Sequence, residues 1–240
     1  FVRIKRYSNM KTILETDKEY ICDIHAPCFQ MLTSRELELV RASKTQVLFR
    51  KGDSLTKQGT FASYILFVIN GICKQYIEGY DSKSFNMRIV QPGEFVGLSA
   101  VFTKNIFNYS TVALTDCYAF LIEKDVIAKV IQKNGLFGLN IIKRYCEQNS
   151  NLFSTLQNVL YKQMNGRISE TLIYLDSIRE SHPDIFLLLS RKDIADFAAI
   201  STESAVKLLK NFEKEGLIEL QDKDVIIRDK KALEDISKRG

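Results

Sequence analysis

Apolar residues recur with two different periods along this chain. From Thr45 to about Ile122 they come in short runs, "TQVLFRKGD", "SYILFVINGICKQYIEG", "FNMRIVQPGEFVG" and "YSTVALTDCYAFLIEK", rich in Val, Ile, Phe and Tyr. Gly52, Gly59, Gly71, Gly79, Gly93 and Gly97 stand at or near the ends of these runs, where plain turns account for them. Short strands with this punctuation predict a small sandwich or barrel-like roll. From about Glu123 the pattern becomes helical. Between Ile142 and Gln163 the residues Ile142, Cys146, Asn149, Phe153, Leu156, Leu160 and Gln163 recur at alternating steps of four and three, the a/d period of a paired helix. Asn149 in that seam can set register and favour two strands. An amphipathic helix packed on its own domain is the alternative, but the run is too long for one small roll to cover.

Asn165-Gly166 predicts a hinge, followed by a helix over 167–181 that ends at His182-Pro183. Two short helical patterns then stand back to back in "SRKDIADFAAISTESAVKLLKNFEKEGLIE". Ser190 to Asp193 fits a capping box with Asp in place of Glu or Gln. Ile194, Ala195, Phe197 and Ala198 give the first helix an apolar face, and Ser201 suits the N-cap of the second. In the second, Ala205, Leu208, Leu209 and Phe212 form the face to be buried. Glu203, Lys207, Lys210 and Lys214 form a separate polar stripe. The segment "LIELQDKDVIIRD" reads as a two-stranded hairpin, and a short helix can follow in "KKALEDISK". Two helices with a tight connection match a helix-turn-helix, and the hairpin after them makes a winged nucleic-acid-binding module. The second helix then suits a DNA major groove: Glu can accept from cytosine N4, and Lys can donate to guanine or to phosphate. A solvated face with Glu–Lys i,i+4 pairs is the plainer alternative.

Composition narrows these readings. With 240 residues, 45% apolar and 26% charged, the chain has enough apolar material for one large or two modest globular domains. No apolar run approaches the roughly 18 residues of a membrane span, and no membrane partner is expected. The first residues, "FVRIKRYSNMKTILETDKEY", lack the apolar core of a signal peptide. Five irregularly spaced cysteines suggest free thiols in a reducing, cytoplasmic setting. The net charge is +5, but residues 166–240 carry 13 Lys+Arg against 15 Asp+Glu, so a DNA-binding role for that segment rests on local arrangement and not on bulk charge.

The order of these elements resembles the Crp/Fnr family of bacterial transcription regulators over about residues 22–237. "FRKGDSLTKQGTFASYILFVINGICKQYIEG" is similar to the first half of the family's roll, "VQPGEFVGLSAVF" to its phosphate cassette, and "LSRKDIADFAAISTESAVKLLKNFEKEGLI" to its helix-turn-helix. The resemblance implies an α+β chain. A double-stranded β-roll of the cyclic-nucleotide-binding jelly-roll type would lie in 1–122, a helical linker with a long dimerisation helix in 123–165, and a winged helix-turn-helix in 166–240. The expected DNA-binding residues are Ser190, Arg191, Lys192, Ser201, Thr202, Glu203, Lys207 and Lys210. The family usually carries Glu and then Arg four residues later on the recognition helix; here Glu203 keeps the first place and Lys207 takes the second. Thr202 stands where an Arg often touches DNA, and Ala199 where the turn often has Gly. Lysine is a point donor rather than a bidentate fork, so the family's usual half-site is not implied.

The sensor carries its own departures. Cyclic-AMP-binding members use a cassette Glu for the ribose and an Arg for the cyclic phosphate; here Leu98 holds the first position and Asn108 or Tyr109 the second. A buried phosphate would lack its charged donor, so cyclic AMP is not the expected effector. Phe95, Gly97, Leu98, Ser99, Tyr109 and Ser110 are the candidate pocket, and Phe95, Phe102, Phe107, Tyr109 and Phe120 suggest an apolar interior. "CDIHAPC" places Cys22 and Cys28 like two cysteines of the family's iron–sulfur members, but Glu19 replaces a third and Phe120 the fourth. Cys22, His25 and Cys28 could together offer metal ligands; free thiols with no cofactor are the expectation.

Nothing resembles a catalytic triad, a carboxylate pair or a phosphate-binding loop, so an enzyme is not expected. The resemblance implies a homodimer on near-palindromic double-stranded DNA, an unidentified effector, and RNA polymerase as a partner if the chain activates. A redox, metal or haem sensor of the same family, and a ligand-gated protein-interaction module that does not bind DNA, are the alternatives.

Overall fold

The computed structural model describes residues 10–18, 20–21, 29–80, 83–103 and 105–240. Cys22, His25, Cys28 and Glu19 lie outside them, as does Lys104. The chain divides into two compact units, residues 1–78 with 88–148 and residues 79–87 with 149–240.

The first unit holds the strands β1 (Lys11–Ile13), β2 (Lys44–Phe49), β3 (Ser54–Thr56), β4 (Tyr64–Asn70), β5 (Cys73–Glu78), β6 (Ser84–Val90, its first residues counted with the second unit), β7 (Phe95–Val96), β8 (Ser110–Ala113) and β9 (Cys117–Glu123). They form a five-stranded sheet in the order β1-β2-β9-β4-β7 and a four-stranded sheet in the order β3-β8-β5-β6. Helix α1 (Ser34–Ser43) precedes β2, and α2 (Lys124–Lys133) follows β9. Alternation along a strand sends successive side chains to opposite faces, and here both faces of the five-stranded sheet are covered. Leu66 and Val68 of β4, Ala119 and Cys117 of β9, and Val47 and Phe49 of β2 pack with Leu55, Cys73 and Ala113 from the other sheet. Ile65 and Phe67 of β4, with Phe120 and Ile122 of β9, pack instead on Val40 of α1 and Ile127 and Val130 of α2. Two covered faces explain why "YILFVIN" is continuously apolar rather than alternating. Phe29, Phe67 and Phe95 meet edge to face in this second layer, with ring centroids 5.0–5.8 Å apart.

Helix α3 (Gly135–Tyr161) begins on that layer, where Phe137 and Ile141 are buried. Beyond Ile141 the described residues offer its apolar side chains no such cover. Of the predicted roll interior, Phe95, Phe107 and Phe120 are buried, but Phe102 is exposed because it closes the short 3-10 turn Leu98–Val101 on its outer side.

In the second unit, α4 (Met164–Arg179) supplies the central apolar ridge of Ile168, Leu172, Leu175 and Ile178. Around it stand α5 (Ile185–Leu188), α6 (Arg191–Phe197), α7 (Thr202–Lys214), the antiparallel strands β10 (Ile218–Gln221) and β11 (Asp224–Ile227), and α8 (Lys230–Arg239). The hinge expected at Asn165-Gly166 is displaced. The helix break falls at Lys162-Gln163, and Gly166 is buried within the first turn of α4 because the backbone of Gly240 lies against it, 3.0–3.1 Å from where a Cβ would sit. A glycine there serves close approach rather than a bend. Lys162 and Ser237 both bond the Glu170 carboxylate, which ties the helix break to α4 and α8. Among the described residues no helix is long and apolar enough to cross a membrane.

Candidate nucleic-acid interface

The α6–α7 pair is built by its caps. Ser190 Oγ accepts from the Asp193 amide at 3.1 Å while Asp193 Oδ2 accepts from the Ser190 amide at 2.8 Å, so the capping box read from the sequence forms with Asp as its reciprocal member. The chain turns at Ala199, whose φ of +51° lies in the left-handed region. Ser201 Oγ then accepts from the Ser204 amide at 3.1 Å and starts α7. Ala205, Leu209 and Phe212 are buried and fix the rotation of α7 on the unit. Leu208, expected on that face, is only half-buried because it falls at the edge of the stripe.

That rotation brings Thr202, Glu203, Val206, Lys207 and Lys210 together around one open concavity. Val206 is absent from the sequence-based set. The signal that could have found it is its spacing, three residues after Glu203 and one before Lys207. An apolar side chain among these polar ones can pack on a thymine methyl. The Glu203 carboxyl lies below the usual carboxylate range, first because its own backbone amide at the helix start bonds it and then because the Ser201 hydroxyl does. It therefore stays ionised at neutral pH and can only accept hydrogen bonds.

The other predicted residues have intramolecular partners. Arg191 donates to the carbonyl oxygens of Asp222 at 2.8 Å and Lys223 at 3.3 Å, in the β10–β11 turn, so it anchors the wing to the start of α6. Lys192 pairs with Asp196 at 2.6 Å, with more than half of its side chain still exposed. The wing itself is held by Arg179, which donates to Asp224 Oδ1 at 2.6 Å and to the Val225 carbonyl at 2.7 Å.

In the roll, the candidate pocket residues pack on or bond to other parts of the protein. Phe95 and Leu98 point into the layer against the helices. Ser110 Oγ donates to Glu78 at 2.5 Å and accepts from the Gln58 amide at 3.0 Å. Ser99 is half-buried, and its carbonyl accepts from the Thr103 hydroxyl. Gly97 and Tyr109 do meet, the Gly97 amide donating to the Tyr109 hydroxyl oxygen at 2.8 Å. Phe107 lies over Gly97, within 2.5 Å of where a Cβ would be, and with φ +82° the position requires glycine. Burial pushes the Tyr109 phenol above its ordinary range, so it is a neutral hydrogen-bonding group. Arg88, which the sequence did not single out, is the nearby cation. It forms a two-pronged pair with Glu94 at 2.8 and 2.9 Å and donates to Gln75 at 2.6 Å.

The capped helix pair, its polar recognition face and the wing, on a chain that also carries a β-roll, define a DNA-binding transcription regulator with a cyclic-nucleotide-binding-type sensor domain. The chain belongs to the Crp/Fnr regulators: residues 46–134 match the family model of the cyclic nucleotide-binding domain, and residues 166–236 that of the Crp-like helix-turn-helix domain. It is 24% identical over 206 residues, 84% of this chain and 87% of the relative, to the anaerobic regulatory protein of Bacillus subtilis strain 168. Over 178 residues, 72% of this chain and 85% of the relative, it is 22% identical to the cAMP-activated global transcriptional regulator CRP of Pasteurella multocida. Its fold is similar to that of FixK2 from Bradyrhizobium japonicum, with a TM-score of 0.71, 17% identity, and 80% and 96% of the two chains covered. It is also similar to the c-di-GMP-responsive global regulator CLP of Xanthomonas campestris, with a TM-score of 0.70, 20% identity, and 81% and 99% covered.

Proposed function

We propose that this regulator works in the cytoplasm as a homodimer that reads a near-palindromic duplex through α7 and answers to an effector other than cyclic AMP. The observation that carries the DNA-reading part is the concavity of Thr202, Glu203, Val206, Lys207 and Lys210, which joins an ionised acceptor, two cations and an apolar contact on one exposed helix face. In this reading Glu203, Lys207 and Val206 meet base edges, while Lys210, Lys192 and the remaining donors of Arg191 hold phosphates. Ser190, Ser201 and Thr202 stand at the two helix starts, where first-turn amides can meet phosphates. Residues 1–122 sense, 123–165 couple and dimerise, and 166–240 bind DNA. If the regulator activates, RNA polymerase is its further partner.

The dimer reading is supported by α3, where Ile142, Cys146, Asn149, Phe153, Leu156 and Leu160 are all exposed. Leu139, at 64% exposure, extends the same a/d series by one step toward the helix start. The effector reading is supported by the cassette. The Gly97 amide is already bonded to Tyr109, and Arg88 is already neutralised by Glu94. A cyclic phosphate would have to displace these partners without gaining a free buried cation. Titration of cyclic AMP by calorimetry is expected to give no saturable heat at micromolar concentrations; stoichiometric binding would overturn this part. Salt-sensitive binding to a selected duplex is expected for the DNA part, and binding indifferent to sequence would overturn it.

A further inference from the structure

Cys73 opens β5 in the four-stranded sheet, and Cys117 opens β9 in the five-stranded one. Both are fully buried in the layer between the sheets, and their sulfurs are 3.5 Å apart. From this geometry we infer that Cys73 and Cys117 form a modification site, a thiol pair that a hydroperoxide converts to a disulfide joining the two sheets of the roll.

Burial alone would leave two thiols inert, but three features here favour reaction. The sulfurs are in direct contact, and a disulfide length of about 2.05 Å needs an approach of about 1.5 Å. Cys117 stands at the end of its sheet, as the first residue of β9. Its sulfur is 3.2 Å from the Thr115 carbonyl oxygen and 3.3 Å from that of Ile72, and its neighbour Asp116 is exposed. Gly71 makes this closeness possible, since a Cβ there would stand 2.3 Å from the Asp116 carbonyl oxygen and 2.8 Å from the Cys117 sulfur. Finally, the two thiols are unlike. The bond from Cys73, followed by those at Thr115, draws Cys117 below the ordinary thiol range, while the same bond and burial push Cys73 far above it. With Cys73 donating its S–H to it at 3.5 Å, Cys117 is taken as the attacking sulfur and Cys73 as the resolving one.

In the first step the Cys117 sulfur, releasing its thiol proton, attacks one oxygen of the hydroperoxide. The S–O bond forms, the O–O bond breaks, and the departing oxygen takes the thiol proton and leaves as water or an alcohol. Cys117 is then a sulfenic acid. Cys73 next attacks the Cys117 sulfur, forming S–S and breaking S–O, and the hydroxide leaves as water with the Cys73 proton. Two thiols are oxidised and one peroxide bond is reduced.

The test treats the folded chain carrying Cys22→Ser, Cys28→Ser and Cys146→Ser with hydrogen peroxide. The protein is then alkylated under denaturing conditions and mapped by mass spectrometry. The expected result is joint loss of both thiols, with a linked Cys73–Cys117 peptide as the main product, reversed by dithiothreitol. Adding Cys73→Ser is expected to leave a Cys117 sulfenic acid that dimedone captures. Should the triple variant not fold, the same linked peptide is sought in the unmodified chain. Free Cys73 and Cys117 after peroxide has been consumed, or Cys117 advancing to the sulfinic acid beside an unreacted Cys73, would overturn the inference.

Discussion

Ala199 carries a positive φ of +51° at the tightest point between α6 and α7. An L-residue there places its Cβ against the neighbouring carbonyl, a strain of about 1–2 kcal/mol that glycine escapes, less what glycine loses in chain entropy. Ala199→Gly is expected to raise unfolding stability by about 0.5–1 kcal/mol, read from the urea midpoint with an unchanged m-value. From Glu203, four positions further on, the proposed roles concern DNA. Glu203→Ala should relax preference at one base pair in each half-site, a loss of about 1–3 kcal/mol of discrimination. Lys210→Ala should weaken all duplexes alike and lower the salt slope by about one unit per chain. Titrations against single-base variants at two salt concentrations separate them, and equal, sequence-blind losses from both would remove the base-reading role of Glu203. The polar stripe and both caps were legible because capping and amphipathicity are local. Val206 was not, since one apolar residue among charges reads as a core position until the helix rotation is known. Arg191 was legible as a cation but not as an anchor of the wing, because its partners at Asp222 and Lys223 lie about thirty residues away.

At the scale of elements, α3 changes its surroundings along its length. Phe137 and Ile141 are buried on the roll, whereas Ile142 and Phe153 are each 59% exposed and Leu160 is 68% exposed. Apolar surface repeated at heptad spacing is what a second copy of the same helix would cover. Phe153→Asp with Leu156→Asp would bury unpaired charge in that seam, and sedimentation is expected to show a monomer with unchanged circular dichroism. A dimer that survives with its fold intact would mean the stripe serves something else. The heptad spacing was readable from the sequence alone; that exposed Leu139 continues it was not, because Leu139 follows residues that the roll buries. The break before α4 was misplaced for a related reason. Asn-Gly is a strong turn signal in sequence, but here tertiary approach of Gly240 to Gly166 sets the requirement for glycine. The strand runs were placed well, since period and glycine punctuation are local. That both faces of the five-stranded sheet are covered emerges only from the partners, Ile65 and Phe67 on one side and Leu66 and Val68 on the other.

At the scale of the whole molecule, one copy offers a single α7 and one exposed apolar stripe along α3. A single α7 can meet only a few base pairs, and its half-site affinity would be limited by the few contacts proposed for Glu203, Val206 and Lys207. Pairing through α3 would present two such helices about 34 Å apart, one turn of duplex, so that half-sites about 10 base pairs from centre to centre lie on the same face. Inserting about half a helical turn, roughly 5 base pairs, between the half-sites would rotate the second one away from its helix. Affinity is then expected to fall to that of an isolated half-site. The Phe153→Asp, Leu156→Asp monomer should bind both spacings equally weakly, because it never spans the two. Anisotropy titrations of the unmodified and monomeric chains on the two spacings make the four measurements needed. If the unmodified chain is indifferent to spacing while remaining dimeric, the two recognition helices do not share one duplex face, and the near-palindromic reading falls even though base reading by α7 can stand.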